Sequence, residues 1–318
     1  MANRILVTEA MSDRGPEWLR QNGYEVVYGR GIDPQTLAED LQGCQGVIVR
    51  LAEMTSQVLE KTSDLKVIAR HGAGVDSVDL DYCRAHGIQV LRNVGTNSCA
   101  VAEYAVMLLL ACAKSLIQGT DMYQKGEFTK ARKVLKPLEL CGKTLGLIGM
   151  GHVGSIVAQI CGAGFGMHVL AFDPYAKQDS IPDYVTLTSE RSKVFQQADF
   201  ISVHVPATPE TKGSIGASDF AMMKPSAFLI NTARGTIVDE KALIEALKNG
   251  VIAGAGLDVT QMEPAEYSNP LFAMDNVILT PHCAGSSVEA KEKASLAAAK
   301  GCHAVLCGQP VEAPAVLV

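Results

Sequence analysis

The stretch that most limits the possible folds lies at residues 144–155 and reads TLGLIGMGHVGS. It holds the pattern G-x-G-x-x-G at Gly149, Gly151 and Gly154. Such a pattern is weak alone. Here it follows an apolar, strand-like run and opens a helical pattern over residues 155–161, the setting its mechanism requires. Gly149 permits a tight turn, Gly151 lets backbone approach a pyrophosphate, and Gly154 lets the helix pack closely on the strand. Unpaired N–H groups at the helix start then face the anion. The next apolar run ends at Asp173, 19 residues after Gly154. A carboxylate there accepts hydrogen bonds from ribose hydroxyls and repels a 2′-phosphate, so the expected cofactor is NAD rather than NADP. Lys177 nearby softens that repulsion. The plainer reading of Asp173-Pro174, a turn initiator, leaves the rest of the unit unexplained.

The same alternation of elements runs through the whole chain. Residues 4–8, 25–29, 46–50, 66–70 and 88–92 read as short strands, separated by helical patterns such as 16–21 and 34–41. Residues 100–114 form a long apolar helical segment, and the more polar stretch 118–137 reads as a linker or a subunit contact. A second series of strands is expected at 145–148, 169–172, 200–205, 228–231, 252–257 and 277–279, with a last helix over 287–306. Strand–helix repetition implies an α/β protein with two doubly wound parallel sheets. The nearly pure apolar strands of the second series fit a sheet covered on both faces.

Composition narrows the function classes. A chain of 318 residues suggests about two domains. Its hydrophobic fraction of 47% excludes global disorder, and its net charge of -6 argues against nucleic acid as a partner. The longest uncharged apolar run covers residues 104–113, whereas a membrane helix needs about 20. Nine cysteines without C-x-x-C spacing argue against zinc or dithiol chemistry, and no metal is expected. Cys302, His303 and Cys307 read as small side chains on the final helix. Free thiols in this number point to a reducing cytoplasm.

Three polar residues follow strand runs in the second half: Arg234, Glu263 and His282. Ligands in open parallel sheets sit beyond the carboxyl ends of the strands, so the three are expected to share one crevice. An Arg fork binds a carboxylate. A His exchanges the proton as carbonyl and alcohol interconvert, and a neighbouring carboxylate stabilises its imidazolium. Singly, each has a bland reading as surface Arg, loop Glu or turn His. Cys283, beside His282, offers a weaker reading as a thiol sensor.

With these residues in view, the chain resembles the D-isomer-specific 2-hydroxyacid dehydrogenases over nearly its whole length. The likeness rests on HGAGVD at 71–76, NSCAVAE at 97–103, the Gly149 turn, NTARGTIVD at 231–239, GLDV at 256–259, Glu263-Pro264 and Pro281-His282. It implies Arg234, Glu263 and His282 as the catalytic set. It also implies a Rossmann-type NAD domain, residues 100–285, inserted into a flavodoxin-like substrate domain, residues 1–99 and 286–318. Cofactor contacts are implied at Gly149, Gly151, His152, Val153, Gly154, Asp173, His204, Pro206, Thr211, Thr232, Ala233 and Gly285, with Asp258 on the nicotinamide carboxamide. Backbone N–H groups of Ala73, Gly74 and Val75, with Asn97, are implied for the substrate carboxylate. Glu263 argues against formate dehydrogenases, which use Gln with the His.

Within the family the nearest likeness is to phosphoglycerate dehydrogenases. Arg50, Arg70 and Arg132 would neutralise a phosphate, although Leu51 and Glu53 stand where smaller or hydroxyl residues would suit one. The alternative substrates are glyoxylate, hydroxypyruvate or another unphosphorylated 2-keto acid. The length is expected to hold two catalytic domains and no regulatory extension. A homodimer through the cofactor domains is implied. A second function class is an NAD-responsive, co-repressor-like binding protein of the same fold.

Overall fold

The computed structural model describes residues 3–311. The chain divides into two compact units: Met1–Asn97 with Ser286–Val318, and Ser98–Gly285.

The first unit contains β1 (Arg4–Val7), α1 (Arg14–Gln21), β2 (Glu25–Tyr28), α2 (Pro34–Asp40), β3 (Gly46–Val49), α3 (Ser56–Leu59), β4 (Val67–Arg70), α4 (Leu80–His86) and β5 (Gln89–Leu91). Its sheet has the order β2-β1-β3-β4-β5, with every pair parallel. Strand β3, Gly-Val-Ile-Val, is buried at every position, as a strand covered on both faces must be. The final helix, Val288–Leu306, returns to this unit. It buries Ala298, Ala299 and Cys302 against Ile5, Val7 and Val67. Polar ties fix its register: Asn93 Nδ2 donates to the Ala294 carbonyl (2.8 Å), and Ser295 Oγ donates to the Ser12 carbonyl (2.6 Å).

The second unit opens with α5 (Ser98–Ala113), α6 (Leu116–Gln124) and α7 (Phe128–Val134). It continues with β6 (Thr144–Ile148), α8 (His152–Ala158), β7 (His168–Phe172), β8 (Val185–Leu187), α9 (Arg191–Gln197), β9 (Phe200–Val203), α10 (Ala217–Met222), β10 (Phe228–Asn231), α11 (Glu240–Lys248), β11 (Gly254–Leu257) and β12 (Val277–Leu279). The seven strands run in the order β12-β11-β10-β9-β6-β7-β8, all parallel. Helices on both faces enclose two cores. One holds Phe195, Ile201, Phe220 and Leu229, and the other holds Leu108, Leu147, Cys161 and Phe200. Strand order reverses between β6 and β9, which makes that gap the switch point where such sheets bind ligands.

The expected α/β class with two parallel sheets is borne out. Three details differ. Helix α8 starts at His152 rather than Ser155, because Gly154 is buried inside its first turn, and it continues as a π-helix over Gln159–Gly164. The stretch expected as a linker or a subunit contact forms two helices, α6 and α7, which bury almost nothing within the chain. Strand β8 was not expected; it is a three-residue edge strand with one buried side chain. Among the described residues no single helix is long and apolar enough to cross a membrane. The pair Ser98–Ala113 and Leu116–Gln124 passes on length and composition only when joined across a 58° bend. Within it, α5 buries Ala102, Ala105, Leu108 and Leu109 inside the unit.

Candidate active site

The glycine turn leaves β6 at the switch point. Gly149 has φ +101°, open to glycine but strained for other residues. A Cβ on Gly149 would lie 2.8 Å from the His204 carbonyl, and one on Gly154 would collide with the Gly149 carbonyl oxygen. At Gly151 a Cβ would meet nothing within 4 Å, so the turn is open on that side. Gly151 caps α8 without a side-chain hydrogen bond, leaving the first N–H groups for an anion. Asp173 braces the turn: Oδ2 accepts from Met150 N and Oδ1 from Tyr175 N, both at 2.8 Å. His152 is exposed and Val153 half-buried.

The opposite wall follows β9. His204 meets Ser202 Oγ through Nε2 at 2.9 Å, and burial pushes its imidazole down to about 4, so it is neutral near pH 7. Thr211 Oγ1 donates to the Pro206 carbonyl (2.6 Å) and accepts from Thr208 N (2.7 Å), which closes this loop. Thr232, after β10, is buried, and its Oγ1 has no hydrogen-bond partner among the described residues. An orphaned buried hydroxyl and an uncapped helix start, both beyond the carboxyl ends of strands in one sheet, are what a polar cofactor would satisfy. The residues present therefore fit a dinucleotide.

Arg234, Glu263 and His282 come together beyond β10, β11 and β12. Glu263 Oε2 lies 2.6 Å from His282 Nδ1, and Glu263 Oε1 accepts from Thr260 N at 3.1 Å. Burial opposes ionisation of Glu263. The His282 hydrogen bond and charge, the Thr260 N–H and the Arg234 guanidinium outweigh it and hold the carboxyl below its ordinary value. Arg234 Nη1 donates to the Ala233 carbonyl (2.7 Å), and Ala233 N donates to Asn231 Oδ1 (3.0 Å). Asn231 Nδ2 returns to the Arg234 carbonyl at 3.0 Å, so Asn231 clamps the Arg234 turn from both sides. Gly235 lets that turn press on the Thr260 loop; a Cβ there would overlap the Thr260 carbonyl.

His282 has φ +49°, a left-handed conformation that is unusual without glycine. Asp258, buried at the end of β11, stabilises it. Asp258 Oδ1 accepts from Thr280 Oγ1 (2.6 Å) and Cys283 N (3.0 Å), and Oδ2 accepts from Ala284 N (2.7 Å), next to Gly285. Sequence reasoning missed this brace, along with Asn231, Thr280 and Tyr104. Each acts through a partner remote in sequence or through a backbone group, and spacing carries no sign of either.

The remaining candidates, apart from Arg132, belong to the first unit. Arg50 follows β3, and Arg70 ends β4. Arg70 turns inward: Nε donates to the Gly74 carbonyl (2.9 Å), and Nη1 donates to the carbonyls of Val49 (3.1 Å) and Arg50. It thereby shapes the loop that carries Ala73, Gly74 and Val75. Glu9, after β1, accepts from the N–H groups of Arg50 (3.1 Å), Leu51 and Ala52 (2.7 Å). A carboxylate of the chain thus fills the N–H nest at this sheet's own switch point, between β1 and β3. Asn97 ends this unit. Arg132 lies in the other unit, on α7, over the Phe128 ring at 5.7 Å.

A doubly wound parallel sheet with a glycine turn and an acidic second-strand end defines a dinucleotide-binding protein, and the His282–Glu263 pair lies in the same unit. The model of the D-isomer specific 2-hydroxyacid dehydrogenase NAD binding domain matches residues 106–284. The chain is 39% identical over 311 residues to the D-3-phosphoglycerate dehydrogenase of Methanocaldococcus jannaschii, covering 97% of this chain and 58% of that protein. It is 36% identical over 297 residues to the hydroxypyruvate reductase of Thermotoga maritima, covering 92% and 95%. Among solved structures, the TT0316 protein from Thermus thermophilus matches with a TM-score of 0.89 and 36% identity, covering 99% of this chain and 100% of that one. The chain belongs to the D-isomer-specific 2-hydroxyacid dehydrogenase family. It spans 58% of the length of the archaeal phosphoglycerate dehydrogenases it matches.

Proposed function

We propose that the protein catalyses reversible hydride transfer between NAD(H) and C2 of a small D-2-hydroxy acid or its 2-keto acid. The observation that carries this reading is the 2.6 Å Glu263–His282 pair in the same unit as the glycine turn. NAD(H), when bound, supplies or accepts the hydride. His282 uses Nδ1 on Glu263, which leaves Nε2 to exchange a proton with the substrate oxygen. In reduction the imidazolium gives that proton to the new alcohol, and Glu263 steadies the charged ring. Arg234 offers its guanidinium fork to the substrate carboxylate. Gly149, Gly151, His152, Val153 and Gly154 hold the pyrophosphate side. Asp173 holds the ribose, and His204, Pro206, Thr211, Thr232, Ala233, Asp258 and Gly285 the remainder of the cofactor.

We assign the N–H groups of Ala73, Gly74 and Val75, with Asn97, to the substrate carboxylate. Arg50 and Arg70 are assigned to a further polar group of the substrate, Arg70 while its Nε and Nη1 also hold the backbone carbonyls of Gly74 and Val49. The domain roles follow: residues 1–99 and 286–318 bind substrate, and 100–285 bind NAD. A homodimer through α5–α7 is supported by exposed Met107, Leu116, Ile117, Tyr123 and Phe128. Cytoplasmic residence is supported by the free state of all nine cysteines.

The test is NADH oxidation with glyoxylate, hydroxypyruvate, pyruvate and 3-phosphohydroxypyruvate. Turnover with at least one, forming the D-alcohol, is expected. Tight NADH binding with no oxidation by any 2-keto acid would instead favour an NAD-responsive binding protein.

A further inference from the structure

We infer that Tyr104 is a positioning residue for His282, acting through the Cys283 thiol. The inference rests on the proposed role of His282 as the proton-exchanging group.

Three observations support it. First, the His282 backbone is left-handed at φ +49°, so the ring keeps its direction only while the residues beside it are held. Second, nearly all of those restraints come from one place. The Asp258 carboxylate ties Thr280, Cys283 N and Ala284 N, and the Asp258 carbonyl accepts from His282 N at 2.8 Å. Tyr104 provides the tie from a different element. The Cys283 Sγ–H group donates to Tyr104 Oη at 3.0 Å, closer than its other acceptor, Asp258 Oδ1, at 3.6 Å.

Third, the phenol is mounted on a rigid element. Helix α5 is buried along Ala105, Leu108, Leu109 and Cys112, and a Cβ added at Gly256 of β11 would stand 3.1 Å from Leu108 Cβ and 3.3 Å from Cys112 Sγ, so the glycine leaves the helix just enough room to pack on the strand. Helix α5 and strand β11 therefore hold the His282 loop from two directions. With Tyr104 removed, the thiol retains only the longer contact to Asp258, and the loop can turn about its β11 anchor. That motion would misalign the imidazole relative to Glu263 without touching the glycine turn. The expected loss therefore falls on kcat and not on cofactor binding.

The experiment uses the full chain and compares wild type with Tyr104→Phe, Cys283→Ala, Cys283→Ser and the double variant Tyr104→Phe/Cys283→Ala. Each measurement includes kcat, the KM of the best keto acid, NADH affinity by fluorescence and the thermal midpoint. Tyr104→Phe and Cys283→Ala should each lower kcat about tenfold, with KM and NADH affinity within about twofold. The double variant should be no worse than the poorer single one, because both remove the same hydrogen bond. Cys283→Ser, which keeps a donor, should recover most of the rate. Additive losses, or a lowered thermal midpoint with unchanged kcat, would overturn the inference.

A second readout does not depend on turnover. The His282 ring resonance in histidine-labelled protein should broaden or shift in Tyr104→Phe and Cys283→Ala. An unchanged resonance overturns the positioning role whether or not the wild type reduces any keto acid. Failure of the wild type on the whole keto-acid panel counts against the proposed function instead.

Discussion

Glu263 shows how charge is settled at the level of one residue. Its carboxyl is partly withdrawn from water, which favours the neutral acid, yet three partners keep it ionised. Replacing it with Gln keeps the shape and an acceptor but removes the charge that steadies an imidazolium. We expect Glu263→Gln to lower kcat about 100-fold while NADH affinity stays unchanged. Equal turnover in the variant would show that the charge is not used. Asp173 supports a second residue-level prediction. Asp173→Asn removes the repulsion toward a 2′-phosphate, so the ratio of NADPH to NADH efficiency should rise about tenfold or more. The types and strand-end placement of these residues were legible in the sequence. Their partners were not: Tyr104 and Cys283 lie 179 positions apart, and no local pattern links them.

At the scale of elements, glycines decide which segments can approach. Gly235 lies at the start of a short 3-10 turn after Arg234, packed on the Thr260 backbone that donates to Glu263. Gly235→Ala must push the Arg234 turn and the Glu263 loop apart. A stability loss of about 1–3 kcal/mol with a larger fractional loss of kcat is expected from urea unfolding and steady-state rates. Strands buried on both faces and the glycine turn were readable because burial and steric contact restrict which residues can stand there. The edge strand β8 and helices α6 and α7 were not, because they bury few side chains and so leave no periodic pattern.

For the molecule as a whole, two imidazoles couple stability to pH. Burial pushes His204 down to about 4. It also lowers His71, whose Nε2 contacts the Lys291 carbonyl at 3.1 Å, and nearby Arg50 and Arg70 add to the lowering. An unfolded histidine titrates near 6.5. As pH falls from about 6.5 toward 4, the unfolded chain therefore binds more protons and folding weakens. Each such group contributes a slope of at most about 1.4 kcal/mol per pH unit. Below pH 4 His204 is protonated in both states and adds no further loss. Urea midpoints at pH 7.0, 5.5 and 4.5 should decline, and His204→Asn should flatten that decline; an identical slope in the variant would remove His204 from the account. The parallel sheets and the family were legible from motif order along the whole chain. The inward turn of Arg70 and the Glu9 carboxylate in the Arg50 nest were not, since both depend on strands adjacent in space and not in sequence.

The most direct test of the central claim separates binding from chemistry in His282→Asn. NADH affinity, read by fluorescence titration, should match the wild type, while the rate of NADH oxidation with the preferred 2-keto acid should fall at least about 100-fold. Wild-type turnover in His282→Asn would contradict the assignment of His282 as the group that moves the proton.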